Sequence, residues 1–404
     1  MTDTVVIVGA GHGAGQVVAT LRQKKFDGNV VLLGDEPHLP YQRPPLSKKF
    51  LAGKMPPERL YFKPGSFYDD RQIDVHLDTR VEHIDRKAQK VTSANGEKFS
   101  YDKLVIATGS RVRKITMPGS DLPGIHYLRN IADVDAIRDD MSRSRNVVII
   151  GAGYIGLEVA AVCRQNGLDV TVVEMEDRVM SRVVSPNVSD YYQLEHTSQG
   201  VKLLLSTGLA AFDGKRRVKQ VVTHDEQRIP ADFVVVGVGI QPNAEIAEMA
   251  DLEVDNGIVV DDCCRTTDAN IYAIGDCTSH PNDIYGQRLR LESVHNALEQ
   301  AKTAASNICG EESHYCQVPW FWSDQYGLKL QIAGISQGYD EVVLRGDPSG
   351  GSFACFYLRD GVLIAVDAIN SPREFVQSKT LIAQRSKVDV EKLADAEQAL
   401  KDLV

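Results

Sequence analysis

The 404-residue chain predicts an α/β protein with two βαβ units of dinucleotide-binding type and a mixed α+β C-terminal part. Three observations predict it. An apolar run, Val5 to Val8, enters a glycine cluster at Gly9, Gly11, Gly13 and Gly15, and a helix-compatible stretch leads to a second apolar run closed by Gly34 and Asp35. The same pattern returns in NVVIIGAGYIGLEVAAVCRQNGLDVTVVEM, from Asn146. From about Pro319 the pattern changes to alternating apolar and polar residues, the mark of antiparallel strands.

Composition narrows the classes. A hydrophobic share of 43% supports sizeable cores in two or three domains. The net charge of −10 and the lack of a long basic block argue against nucleic acid and against an anionic membrane surface. No stretch has the length and apolarity of a membrane span, and Val5 to Val8 runs straight into the glycine turn, unlike a signal peptide. Seven cysteines without a CxxC predict neither a disulfide framework nor a metal site, and they predict a reducing cytoplasm.

In the first unit, Gly9 permits a tight turn and Gly11 lets the backbone approach a pyrophosphate. Ala14 is small enough for helix and strand to pack, and the N–H groups of the helix start can hold phosphates. Asp35 can accept hydrogen bonds from a ribose. The prolines of EPHLPYQRPPLSKKFLAGK cannot share one regular helix. Arg43 and Lys48 lie among them, either as solvated loop charges or as a stiff wall with Lys48 beside a cofactor's reactive ring. Ser47 to Leu51 can begin a short helix. Ile73 to Leu77 and Val81 to Ile84 read as strands, Asn95–Gly96 as a hairpin turn, and KLVIATGS as a buried strand returning to the first sheet. Gly124 to Arg129 reads as a short strand before a helix at Ile131 to Met141, capped by Asn130 or Asp133, and Arg129 can reach the first cofactor's phosphates.

In the second unit Gly151, Gly153 and Gly156 fill all three glycine places, and Tyr154 and Ile155 open the helix. Glu174 closes the following strand. Its carboxylate can accept both adenosine-ribose hydroxyls of NADH and repels the extra phosphate of NADPH, although Arg178 and Arg182 are near enough in sequence to fold back. Glu158 is the odd residue in an apolar helix, either solvated or shaping the pocket for the nicotinamide. ADFVVVGVG ends at Gly239 as KLVIATGS ends at Gly109, which predicts closure of the second sheet. In ANIYAIGDC an apolar strand delivers Asp276, able to bind a ribityl hydroxyl of FAD, and a long helix follows to Ile308, its start at Glu292 to Val294 offering N–H groups to a flavin ring. Cys263 and Cys264 are adjacent and read as inert thiols.

The cysteines constrain the chemistry. The first is Cys163, so nothing in residues 1–162 can form a redox disulfide or a sulfenic acid beside a flavin. Electrons arriving as hydride therefore leave the flavin directly and singly, which points to an iron–sulfur protein as acceptor.

These residues carry a resemblance. VVIVGAGHGAG, PYQRPPLSK, KLVIATGS, VVIIGAGYIGLEVAA, GVGIQPN, IYAIGDC, RLESVHNALEQA and PWFWSDQYGLKLQIAG, in this order over nearly the whole chain, resemble the FAD-dependent ferredoxin reductases of bacterial oxygenase systems, the putidaredoxin reductase-like family. The resemblance implies a glutathione-reductase-type fold with FAD-binding segments at 1–112 and 241–318, an NADH-binding domain at 113–240 and a C-terminal α+β domain at 319–404. It implies FAD contacts from Gly13, Asp35, Lys48, Val81, Arg129, Asp276 and Val294, an acid partner for Lys48 in Glu158, and closure over the flavin by Trp322. One departure is Ala14, where many relatives carry glycine. It implies an acidic [2Fe–2S] ferredoxin as partner, with an oxygenase served downstream. Rubredoxin or monodehydroascorbate reduction on the same scaffold, and an NADH-sensing module of the apoptosis-inducing-factor type, are the alternatives.

Overall fold

The computed structural model describes residues 3–403. Its chain contacts divide it into two compact units: Met1–Arg43, Pro57–Arg111 and Gln241–Pro319 form the first, and Pro44–Pro56, Val112–Ile240 and Trp320–Val404 the second.

The first unit is built on a five-stranded parallel sheet whose spatial order is Ile271–Ala273, Lys103–Ile106, Thr4–Val8, Asn29–Leu33 and Ile73–His76. Alternation along Thr4–Val8 explains its two covered faces. Val5 and Ile7 pack with Val17, Val18 and Leu21 of the helix His12–Gln23 and with Ala301, Ala304 and Ala305 of the helix Val294–Ile308. Val6 and Val8 turn the other way, toward Ile84 and Val91 of a small antiparallel sheet and toward Ile246 and Ala247. Strands buried on both faces explain the unbroken apolar runs seen in the sequence.

The second unit repeats the parallel sheet in the order Lys202–Leu204, Asp169–Val173, Asn146–Ile150, Phe233–Val236 and Ile125–Tyr127. The helix Ile131–Arg143 settles the capping choice. Asn130 accepts from the Asp133 N–H at 2.9 Å, and Asp133 returns the bond by accepting from the Asn130 N–H at 3.0 Å, a reciprocal capping box. The expected helix start at Ser47 to Leu51 lies earlier, as a 3₁₀ turn over Pro44–Ser47. Proline suits a first helical turn because the N–H it lacks would have no partner there.

Residues 320–369 form a five-stranded antiparallel sheet within the second unit. Asp360 and Gly361 both take positive φ, at 52° and 74°, as a two-residue hairpin turn of type I′ requires. A buried polar contact joins this sheet to the helix Pro186–Ser198. The Ser185 N–H donates to the Tyr357 hydroxyl at 2.8 Å, and that hydroxyl donates to Asp367. Burial pushes the Asp367 carboxyl up to about 7, against the opposing pull of the Tyr357 hydrogen bond.

An acid held above its unfolded value contributes most stability below that value and loses it as pH rises through the folded one. Wild-type stability should therefore decline between pH about 4 and 7, by an amount on the order of 3–4 kcal/mol from this site. Asp367→Asn should flatten that decline in melting curves recorded across the range.

Candidate functional site

In the first unit the strand order reverses between Thr4–Val8 and Lys103–Ile106, and such a reversal opens a crevice at the C-terminal strand ends. Gly9 occupies it at φ 107°, where a β-carbon would stand 2.3 Å from the Ala107 carbonyl oxygen. The helix His12–Gln23 starts at Gly11 without a side-chain cap, and a β-carbon on Gly11 would meet nothing within 4 Å. The space beside the helix start at Gly11 is thus open, an arrangement that fits a pyrophosphate. Ala14 is fully buried, and a β-carbon on Gly13 would press to 2.9 Å on Ile274.

The carboxylates follow from the strand ends. Asp35 is exposed just beyond Asn29–Leu33. Its neighbour Glu36 accepts from the Tyr41 hydroxyl at 2.6 Å and from Arg43 at 2.7 Å. Burial alone would lower the Arg43 guanidinium, but Tyr41, Glu36 and Asp276 around it leave it above its ordinary value. Asp276 sits in the turn after Ile271–Ala273 and accepts from the Ser110 hydroxyl at 2.7 Å. Val294 is the first residue of its helix, which Ser293 caps by accepting from the Asn296 N–H at 3.1 Å. Val81 opens the strand Val81–Asp85. Gly9, Gly11, Gly13, Ala14, Asp35, Arg43, Val81, Asp276 and Val294 thus share one unit, whereas Lys48, Arg129 and Trp322 belong to the other.

The second unit repeats the turn. Gly151 takes φ 96°, and a β-carbon there would stand 2.5 Å from the Gly237 carbonyl oxygen. Gly153 again starts a helix, Tyr154–Gln165, without a side-chain cap and with open space above it. Gly156 has room for no side chain, since its β-carbon would lie 2.1 Å from the Gly151 carbonyl oxygen. Glu174 is tied to this turn: it accepts from the Ala152 N–H at 2.6 Å and from the Glu176 N–H at 3.0 Å. Arg178, which could have qualified Glu174, is committed elsewhere, to the carbonyls of Val184 at 2.8 Å and Ser181 at 2.6 Å and to the Ser189 hydroxyl at 2.7 Å. Arg182 is exposed. The Tyr154 ring lies 4.8 Å from Phe321, Ile155 is exposed, and Gly239 turns at φ 99° past the end of Phe233–Val236.

Glu158 is not solvated. It is 1% exposed and serves as the hub of a polar cluster inside the second unit. One carboxylate oxygen accepts from Lys48 at 2.7 Å and from the Ser47 hydroxyl, and the other accepts from the Ser323 hydroxyl at 2.6 Å. Two separate stretches of chain therefore meet on one helix residue. Ser47, Ser323, Glu36, Tyr41 and Ser110 escaped the sequence reading. Ser47 adjoins Lys48 in PPLSK and Ser323 lies within WFWSDQ, but no spacing links either to Glu158. Trp322 lies on the strand Trp320–Gln325, its ring 5.6 Å from Trp320. The Arg129 N–H donates to Asp133 at 2.8 Å and so belongs to the helix cap.

All seven cysteines are free thiols, and burial pushes Cys163 up to about 12. None is paired as a redox disulfide.

A family model described as pyridine nucleotide-disulphide oxidoreductase matches residues 3–301, and one described as reductase C-terminal matches 320–404. The rhodocoxin reductase of Rhodococcus erythropolis is 43% identical over 401 residues, 98% of this chain and 93% of that protein. The crystal structure of a ferredoxin reductase from Rhodopseudomonas palustris matches with a TM-score of 0.96 at 41% identity, covering 99% of both chains. Putidaredoxin reductase in its covalent complex with putidaredoxin matches with a TM-score of 0.96 at 39% identity, covering 99% of this chain and 98% of that one. Carrying both glycine turns and a matching C-terminal domain, the chain belongs to the pyridine nucleotide-disulphide oxidoreductase family, in its ferredoxin reductase branch.

Proposed function

We propose that this chain is an NADH-dependent, FAD-containing reductase that passes electrons one at a time to an acidic [2Fe–2S] ferredoxin serving an oxygenase. The observation that carries the reading is a pair of uncapped glycine turns, one in each unit, in a chain without a paired cysteine. Relatives named as reductases of small electron carriers support the acceptor. FAD, when bound, takes up electrons as a hydride pair and releases them singly, which removes the need for a sulfur relay.

The chain's own residues bind and orient. Residues 1–112 and 241–318 hold FAD, with Gly9, Gly11, Gly13 and Ala14 at the pyrophosphate turn and Asp35 and Asp276 as hydroxyl acceptors. Residues 113–240 hold NADH, with Gly151, Gly153 and Gly156 at its pyrophosphate and Glu174 on its ribose. Glu158, with Lys48 as its counter-ion, shapes the nicotinamide side of the second unit. Residues 319–404 are, in this reading, the C-terminal α+β domain, and 320–404 lie within the second unit. We assign the protein to the cytoplasm on its unpaired thiols. Among the described residues no helix is long and apolar enough to cross a membrane.

Stopped-flow mixing tests the reading. NADH should bleach the flavin of the purified protein, and a [2Fe–2S] ferredoxin should restore its colour in two one-electron phases, unchanged by thiol alkylation. Absence of flavin, reoxidation by rubredoxin or monodehydroascorbate alone, or a block by alkylation would overturn it. Glu174→Ala should lower kcat/KM for NADH by roughly 10- to 100-fold, the worth of one or two charged hydrogen bonds, while NADPH loses little. Glu158→Gln keeps shape but removes the counter-ion of Lys48. It should slow flavin reduction roughly tenfold or more, whereas Ser47→Ala, which leaves the ion pair, should cost less than about threefold.

A further inference from the structure

The loop Asp261–Arg265 and the segment Glu312–Cys316 lie side by side in the first unit and take no part in its glycine turn. Asp262, Cys263 and His314 bring an oxygen, a sulfur and a nitrogen within 4.8 Å of one another. Cys263 is 5% exposed, while Asp262 and His314 reach solvent. His314 Nδ1 lies 3.7 Å from Cys263 Sγ and 2.8 Å from Asp262 Oδ2.

A tetrahedral zinc ion, at its usual bond lengths, holds nitrogen and sulfur ligands about 3.6 Å apart and nitrogen and oxygen ligands about 3.3 Å apart. The sulfur–nitrogen distance already matches. The nitrogen–oxygen distance must open by about half an ångström, which the exposed Asp262 side chain can supply by rotation.

A second observation points the same way. The other ring nitrogen of His314, Nε2, lies 3.2 Å from Glu312 Oε1. Metal-bound imidazoles donate their remaining N–H to a carboxylate or carbonyl, so Glu312 can hold the Nε2 proton while a cation displaces the proton that Nδ1 shares with Asp262. The backbone beneath is also set. The Tyr315 N–H donates to the Asp262 carbonyl at 2.7 Å, and the Asn307 amide bridges the carbonyls of Ser313 at 2.7 Å and Cys263 at 3.4 Å. Asp261 accepts from the N–H groups of Cys263 at 2.9 Å and Arg265 at 2.7 Å. The backbone is thus held, and the movement left to a cation is in the side chains.

We propose that Asp262, Cys263 and His314 form a zinc-binding site with one open coordination position, in which Glu312 orients the imidazole. Thiolate and imidazole together select a borderline-soft divalent ion over magnesium or calcium. The bound ion ties the segment after the helix Val294–Ile308 to the Asp261–Arg265 loop, and so stabilises the first unit. The site stands independently of the electron-transfer reading.

Titration of the reduced, flavin-loaded protein with Co2+ tests this. Wild type should develop the visible bands of tetrahedral cobalt on the red side of the flavin absorption, and Zn2+ should abolish them and raise Tm. Cys263→Ser and the solvent-exposed His314→Ala should each lose the bands and the Tm shift. Glu312→Gln should weaken binding by about 10- to 100-fold. Cys316→Ser is the control for the nearby exposed thiol and should behave as wild type. Absence of bands in wild type, their persistence in Cys263→Ser or His314→Ala, or their loss in Cys316→Ser would overturn the site.

Discussion

A missing β-carbon is the constraint on which both nucleotide units depend. At Gly9 and at Gly151 the end of the central strand of each parallel sheet passes so close to the strand beside it that a side-chain carbon would fall 2.3 Å or 2.5 Å from a neighbouring carbonyl oxygen. That proximity lets strand, turn and helix follow within a few residues and aims the start of the helix out of the sheet. The next glycine, Gly11 or Gly153, leaves the space over the helix N-terminus clear. One steric requirement thus produces the turn, and the turn presents a helix start and the positive end of its dipole to a phosphate.

The second unit adds an electrostatic constraint. Glu158 is a carboxylate in a helix otherwise buried by apolar residues, and such a group is costly unless it is paired and hydrogen-bonded. Here Ser47, Lys48 and Ser323 satisfy both of its oxygens. These partners come from the proline-rich segment and from the first strand of the C-terminal sheet. The same contacts tie Pro44–Pro56 and Trp320–Val404 to the second unit. Hydrogen-bonding demand and architecture are one problem in this region. The Ser185–Tyr357–Asp367 chain joins the same sheet to the helix Pro186–Ser198 in a similar way, and there burial wins over hydrogen bonding at the carboxyl.

The proposed preference for NADH rests on position more than on residue type. Glu174 is held over its turn by two backbone N–H groups, and Arg178 is drawn away by two carbonyls and a hydroxyl. A carboxylate without an arginine to offset it favours ribose hydroxyls over a phosphate. The thiols lie outside this chemistry. Burial leaves Cys163 protonated near neutral pH, and the adjacent Cys263 and Cys264 are not paired with each other.

The sequence by itself determined what is local. Both strand–turn–helix units, the acids that close them, the return strands KLVIATGS and ANIYAIGDC, and the antiparallel C-terminal sheet were legible, because glycine placement, apolar runs and period-2 alternation are short-range signals. Only the tertiary structure decided matters of long range. It chose Asn130 with Asp133 as a reciprocal cap, moved the short helical turn to Pro44–Ser47, buried Glu158 on two serines and a lysine, and turned Arg178 aside. It also brought His314 beside Cys263, although no metal-ligand spacing in the chain joins them. Each of these depends on which distant segment supplies a partner for a polar atom, and periodicity carries no record of that.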